Sequence, residues 1–319
     1  MKKAPTVIFL VFSACQTFSQ ALHTDSLSAK RMSASIDSLN TFFTHEDSLQ
    51  VFDLLDSLLK AEPIKERSQM AVRLGYNSNI TADNRTFNIA RFGLAPGLSY
   101  YHKSGVYADV SGYWSQEYAP NYYLTVASAG YLHSFKKVYS FLVEYSHYYY
   151  NQPSDSTVSI PYTNNIGLSN YFELKPFVFR LDYYLYFGEK SAHRIQPSIG
   201  LNLVKKNWLG LNRISFYPSV AFLFGSEEIT EYGLYQNAYL RYLYNRTHTQ
   251  KVPYSYEIKH NEFGIMNYSF SFPISITKKD WTFVLAYTYN IPKALPGEDL
   301  SLLESGYLSF SITRYITFR

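Results

Sequence analysis

"SITKKDWTFVLAYTYN", residues 275–290, sets two lysines and an aspartate between two runs in which bulky and small residues alternate. In the second run Trp281, Phe283, Leu285, Tyr287 and Tyr289 share one parity, and Thr282, Ala286, Thr288 and Asn290 share the other. Successive side chains of a strand point to opposite faces, so the stretch reads as a strand with one bulky and one small face. In a soluble sheet the bulky face meets a core. In a membrane barrel it meets lipid. The stretch alone fits both, and the rest of the chain decides.

The same period of two runs from about Gln69 to the end. It predicts twelve strands, near 69–79, 87–101, 106–116, 121–134, 138–149, 163–174, 177–188, 193–204, 211–224, 262–276, 281–291 and 305–318. Most have the length that a tilted bilayer-crossing strand needs. In "FVFRLDYYLYFG" (177–188), Phe177, Phe179, Leu181, Tyr183, Leu185 and Phe187 oppose Val178, Arg180, Asp182, Tyr184 and Tyr186. Twelve strands with this many large apolar side chains would overfill a small soluble interior. The opposite faces, rich in Ser, Gly and Thr, would make a poor solvated surface. Turning the bulky faces to lipid and the small faces to a lumen removes both objections. The expected fold is therefore all-β, a transmembrane antiparallel up-and-down barrel, with Trp281 and Tyr289 in its two aromatic girdles.

Composition agrees. The chain has 32 tyrosines and 23 phenylalanines in 319 residues, more aromatic side chains than one soluble core would hold. Tyrosine, apolar in body and polar at its tip, suits membrane interfaces and wet lumens. The net charge of +4 is too small to point to nucleic acid. Nowhere do eighteen apolar residues follow one another, so no transmembrane helix is expected.

The connections fall into two kinds. "HKSG", "FKK", "LKP", "KKNWLGLN" and "TKKD" follow even-numbered strands and all carry lysine. The other connections, among them "YNQPSDSTVSIPY" and the stretch from Gly225 to Asn261, are mostly longer and carry most of the acids. Short turns at one end and long loops at the other are the asymmetry of an outer-membrane barrel, with the short turns periplasmic.

Ahead of the barrel, Lys2 and Lys3 precede the apolar run "TVIFLVFSA", and residues 1–20 read as a secretory signal peptide. Cys15, the sole cysteine, would leave with it. "FSAC" leaves lipoprotein processing at Cys15 as the alternative, although Phe12 stands where leucine is usual. Residues 21–67 form a periplasmic helical segment. Thr44 is its candidate N-cap, Leu49, Phe52, Leu55 and Leu59 make an apolar stripe, and Pro63 is the stop. Residues 68–319 are the barrel.

The final stretch "SGYLSFSITRYITFR" alternates to the end, with Tyr315, Ile316 and Phe318 in its last turn of sequence. It resembles the C-terminal strand signal of bacterial outer-membrane β-barrel proteins, which normally ends on an aromatic residue; here Arg319 follows Phe318. The resemblance implies an integral protein of a Gram-negative outer membrane, with membrane lipid and the barrel-assembly machinery as partners. Tyrosine-rich strands and lysine turns resemble most the barrels of the Bacteroidota.

Candidate functional residues lie on the inward parity: Arg73, Arg91, Asp109, Glu144, Arg180, Asp182 and Arg194, with Tyr184 and Tyr186, and beside them Glu173 and Arg213. One reading makes them the lining of a narrow channel for small polar solutes, across which opposed charges set up a field. The alternative is a closed structural or secretion-accessory barrel bridged by Arg–carboxylate pairs. A helical segment packed into the lumen as a plug is a further variant. An outer-membrane lipid hydrolase would need a paired Ser and His. Ser146 and His147 are adjacent on a strand and point to opposite faces, and His102 and Ser104 fall in a turn at the other membrane side. No catalytic residue, cofactor or metal site is therefore expected: no His pair shares a strand face and no cysteine survives processing.

Overall fold

A computed structural model describes residues 68–78, 93–116, 120–135, 138–151, 162–234, 237–248, 255–298 and 304–318. The signal peptide, the 21–67 segment and Arg91 lie outside these residues.

The strands are β1 (Gln69–Asn77), β2 (Gly93–Tyr101), β3 (Val106–Trp114), β4 (Tyr122–Phe135), β5 (Tyr139–Tyr150), β6 (Tyr162–Leu174) and β7 (Phe177–Gly188). They continue with β8 (Ser191–Leu201), β9 (Leu203–Trp208), β10 (Leu211–Phe216), β11 (Ser219–Leu234), β12 (Ser255–Lys278), β13 (Trp281–Pro292) and β14 (Ser305–Thr317). Every pairing is antiparallel, and β1 pairs with β14 from Gln69↔Thr317 to Asn77↔Ser309, which closes the sheet. Two crossings are each built from two segments, β8 with β9 and β10 with β11, so the barrel has twelve strands. The second crossing is interrupted at Pro218, which has no N–H for the ladder; its carbonyl instead accepts from Leu201 N at 2.9 Å.

Alternation fixes which face is which. Along β1, Gln69, Ala71 and Arg73 are buried while Val72, Leu74 and Tyr76 are exposed. Along β7, Val178, Asp182, Tyr184 and Tyr186 are buried, and Phe177, Phe179, Leu181 and Tyr183 are exposed. Along β13, Trp281, Leu285 and Tyr287 are exposed and Thr282, Ala286, Thr288 and Asn290 are buried. The core of this barrel is polar and its outside apolar. In water that arrangement would expose a continuous apolar surface; in a bilayer every strand bond is satisfied and the bulky side chains meet lipid.

Aromatic clusters mark both ends of the wall. Near the turns, His133 meets Phe135 with ring centroids 4.5 Å apart, and Tyr139 stacks on Phe172 at 4.7 Å. Toward the loops, His147 meets Tyr149 at 4.4 Å, and the Tyr183 hydroxyl lies 2.9 Å from His193 Nδ1. Both chain ends of the barrel sit together, Phe318 N donating to Ser68 O at 3.1 Å.

Three expectations are corrected. "KKNWLGLN" is not a tight turn but part of a two-stranded ribbon, β9 paired with β10 from Leu203↔Phe216 to Trp208↔Leu211. Asn207, Leu209 and Gly210 make its reversal with positive φ, and β9 is exposed throughout. The expected strand 262–276 runs instead from Ser255 to Lys278, and β11 continues to Leu234, so much of the acidic "loop" is a long hairpin. A short helix, α1 (Ala238–Thr247), lies in that hairpin and is capped by Asn237 Oδ1 accepting from Leu240 N.

Gly105 shows why the β2–β3 turn needs glycine. Its φ is +93°, and a Cβ there would lie 2.2 Å from the carbonyl oxygen of Leu132.

Candidate functional site: the inner wall of the barrel

The inner wall divides into two arcs. The first runs from β1 to β8 and ends at β11, and it carries the charges. Arg73 on β1 passes over Gly97 on β2 to reach β3, where its Nη2 donates to Ser111 Oγ at 2.7 Å and lies 3.5 Å from Asp109 Oδ1. Asp109 also accepts from Ser99 Oγ, and from Ser111 Oγ at 2.7 Å. Glu144 on β5 accepts from the Tyr107 hydroxyl on β3 and from Ser146 Oγ at 3.2 Å. Arg180 Nε donates to Asp182 Oδ1 at 2.9 Å along β7. Arg194 on β8 pairs with Glu227 on β11 and donates to Ser226 O at 2.6 Å.

These groups are deeply enclosed: Asp182 is 0% and Arg194 1% exposed. A charge so placed is tolerated only when a partner of opposite sign and further hydrogen bonds replace its water. Each of these three arginines has such a carboxylate.

Tyrosine and glycine set the spacing. Tyr107, Gly130, Glu144, Gly167, Tyr184, Arg194 and Gly225 lie side by side on β3 to β8 and β11. Large side chains lie down over the glycines beside them. A Cβ on Gly167 would come within 2.7 Å of the Tyr184 ring, and one on Gly225 within 2.7 Å of Arg194 Cδ. Tyr186 packs with Tyr162, ring centroids 6.0 Å apart, and the Tyr162 hydroxyl reaches Glu227 Oε2 at 3.3 Å.

The second arc, β12 to β14, carries no inward charge from Thr277 to Asn267, Thr282 to Asn290 or Ser305 to Thr313. Small polar side chains bond to one another there: Asn267 Nδ2 to Asn290 Oδ1 at 3.0 Å, Ser271 Oγ with Thr288 Oγ1 at 3.2 Å, and Thr277 Oγ1 with Thr282 Oγ1 at 3.2 Å.

The candidates Arg73, Asp109, Glu144, Arg180, Asp182, Arg194, Tyr184 and Tyr186 thus all lie on the inner face. They fall into separate pairs along the wall and not into one cluster. Sequence reading missed Glu227, because it follows Gly225 in a stretch read as loop. Unbroken alternation through "FLFGSEE" was the signal that could have found it. It also missed the Tyr171 hydroxyl contact with Tyr217, which links β6 to the β10–β11 break beyond two intervening strands. Ser146 is buried inside and bonds Ser128 at 2.8 Å, whereas His147 bonds Asn164 Oδ1 at 2.8 Å beside Tyr149 on the outer face. His102 Nδ1 and Ser104 Oγ are 2.8 Å apart in an exposed turn. No group of three metal-ligating side chains occurs among the described residues.

At the seam, Tyr315 N donates to Asp280 O at 2.8 Å, and Ile316, opposite Met70, is exposed. The Phe318 ring lies 6.2 Å from that of Tyr100.

This is a closed antiparallel barrel with a polar, hydrogen-bonded interior and a bilayer-facing exterior. No family model and no curated protein matches the chain. Among solved structures it is similar to the KdgM porin, at 10% identity and a TM-score of 0.41, over 77% of this chain and 98% of that one. It is also similar to an outer membrane channel from Pseudomonas putida F1, at 11% identity and a TM-score of 0.42, over 80% and 97%. For OprD from Pseudomonas aeruginosa the identity is 9% and the TM-score 0.32, over 79% and 95%. At such identities the likeness is one of barrel architecture.

Proposed function

We propose that the protein is an integral outer-membrane barrel of a Gram-negative bacterium whose lumen is a narrow passage for small polar solutes. The observation that carries the reading is the division of the inner wall. Charges are gathered on one arc, where Arg73, Arg180 and Arg194 are paired and long side chains fold down over glycines, and the facing arc of β12 to β14 carries uncharged residues, mainly small hydroxyl and amide groups with Tyr307. Folded-down charges leave room, and a charged wall opposite a hydroxyl wall orients a polar permeant. Twelve strands also enclose more space than the eight whose interiors side chains fill. The short turns face the periplasm, and Tyr315, Ile316 and Phe318 serve as the assembly signal, a role that fits their place at the closing seam.

One observation favours the alternative, a closed structural or secretion-accessory barrel. The Tyr171–Tyr217 contact bars part of the interior near the turn side. A lipid hydrolase is disfavoured because Ser146 and His147 lie on opposite faces of the wall.

Planar-bilayer recording of the purified full-length protein and of a variant lacking residues 24–62 decides between them. Small stable steps from the full-length chain support the passage. Conductance that appears only in the truncated chain makes residues 24–62 a plug. Silence from both leaves the closed barrel.

A further inference from the structure

Among the described arginines of the inner wall, Arg213 is the one without an acid. It lies on β10, buried together with Ser215, while Ile214 and Phe216 take the other parity. It is 9% exposed, its Nε is buried without an acceptor, and it makes no ion pair among the described residues. Arg73, Arg180 and Arg194 each have a carboxylate. A guanidinium does not shed its proton, so a buried one is stable only against a negative or strongly accepting group.

Its cross-strand neighbours carry no negative charge. Lys206 on β9 stands directly opposite Arg213, and Thr277 stands opposite on β12. The same row continues through Thr282 and Thr313 to Arg73. Like charges facing each other across a ladder repel, and an anion between them removes the repulsion. The next row along the strands is Ser215, Ser275, Val284, Ser311 and Gly75, none of them charged and none longer than valine, so no side chain of that row supplies Arg213 with a counter-charge. The inward acid at this end of β6, Glu173, is bonded by Asn202 Nδ2 at 3.0 Å and forms no ion pair with Arg213 among the described residues.

We infer that Arg213, with Lys206 and the threonine row beginning at Thr277, is a binding station for a small oxyanion at the turn-side end of the lumen. The ligand class is a carboxylate- or phosphate-bearing solute, whose paired oxygens match the guanidinium fork. As a step in transport the station rests on the passage reading; as a binding site it stands without it.

The test uses full-length protein in an alkyl maltoside, free of lipid phosphate, with inorganic phosphate followed by ³¹P relaxation and acetate as competitor. Wild type shows saturable phosphate broadening that acetate relieves. Arg213→Gln weakens binding by roughly tenfold or more, the scale of a charge-assisted hydrogen bond. Arg213→Lys falls between, because the charge stays and the fork goes. Lys205→Gln, on the outward parity of the same ribbon, binds as wild type. Equal weakening by Lys205→Gln and Arg213→Gln, or no saturable binding by wild type, overturns the station. Should Arg213→Gln lose its heat-modifiable mobility, the comparison of Arg213→Lys with Lys205→Gln decides in its place. A protein that binds phosphate but passes no current in a bilayer defeats the passage and leaves the station standing. A protein that conducts but binds no phosphate does the reverse.

Discussion

Tyr107 on β3 crosses Gly130 on β4 and donates its hydroxyl to Glu144 on β5. A Cβ on Gly130 would lie 2.5 Å from the Tyr107 ring and 2.6 Å from the carbonyl oxygen of Val143. Glycine is therefore what lets a long polar side chain lie along the wall and satisfy a buried acid two strands away. Tyr184 lies over Gly167 in the same row, with its hydroxyl 3.5 Å from Ser169 Oγ.

The Gly167–Tyr184 pair gives a clean test, because the ring is the one close obstacle to a Cβ at Gly167. Gly167→Ala should destabilise the barrel by about 1–3 kcal/mol, the cost of overpacking a filled site. In a Tyr184→Ser background the same change should cost much less. Urea unfolding in lipid vesicles, run as a double-mutant cycle, measures the difference.

Arg180 and Asp182 are two residues apart on one strand, so their ion pair runs along the wall and holds no second strand in place. Arg180→Gln alone strands a buried carboxylate and should cost about 3–5 kcal/mol. Arg180→Gln with Asp182→Asn should cost clearly less and leave heat-modifiable mobility intact. If the lumen conducts, the double variant should change the ratio of cation to anion permeability, read as a shift of reversal potential in a salt gradient.

Orientation is checked by labelling intact cells with an impermeant thiol reagent in a Cys15→Ser background. A cysteine at Lys279, in the β12–β13 turn, should be protected. One at Lys190, in the short connection between β7 and β8 beside Glu228, should react. The opposite pattern inverts the barrel.

Much of the barrel could be read from parity alone, because a one-residue slip would turn every side chain to the wrong face. Parity alone places Arg73, Asp182 and Arg194 in the interior. What parity could not supply was reach. Nothing local to "SAGY" says that Gly130 is a seat for Tyr107, since that depends on the register between β3 and β4. Nor does alternation say where a strand leaves the membrane: β11 and β12 keep their pairing far past the wall, and polar residues there read as loop. The break at Pro218 is passed over, because alternation carries an expected strand 211–224 straight through it, although a proline has no N–H for the ladder. The separate ribbon of β9 and β10 is not legible either, because its register is set by β12 across the ladder, from Arg213↔Thr277 onward.

Depth within the outer wall separates lipid from any other apolar surroundings. Leu285 lies within β13 and Leu174 is the last residue of β6, beside the Lys175–Pro176 turn; both are exposed. If the outside meets water, arginine at either position improves solubility and costs little. If it meets a bilayer, the two sites part company. Arginine near the hydrocarbon midplane costs about 2–4 kcal/mol, and arginine near an interface about 0–1 kcal/mol, because the long side chain reaches the headgroups. Leu285→Arg should therefore be the more destabilising in vesicles by about 2 kcal/mol or more. The gap should shrink in short-chain detergent micelles, which offer the side chain a shorter path to water. Equal stability of the two variants in vesicles would mean that this face does not lie in a membrane.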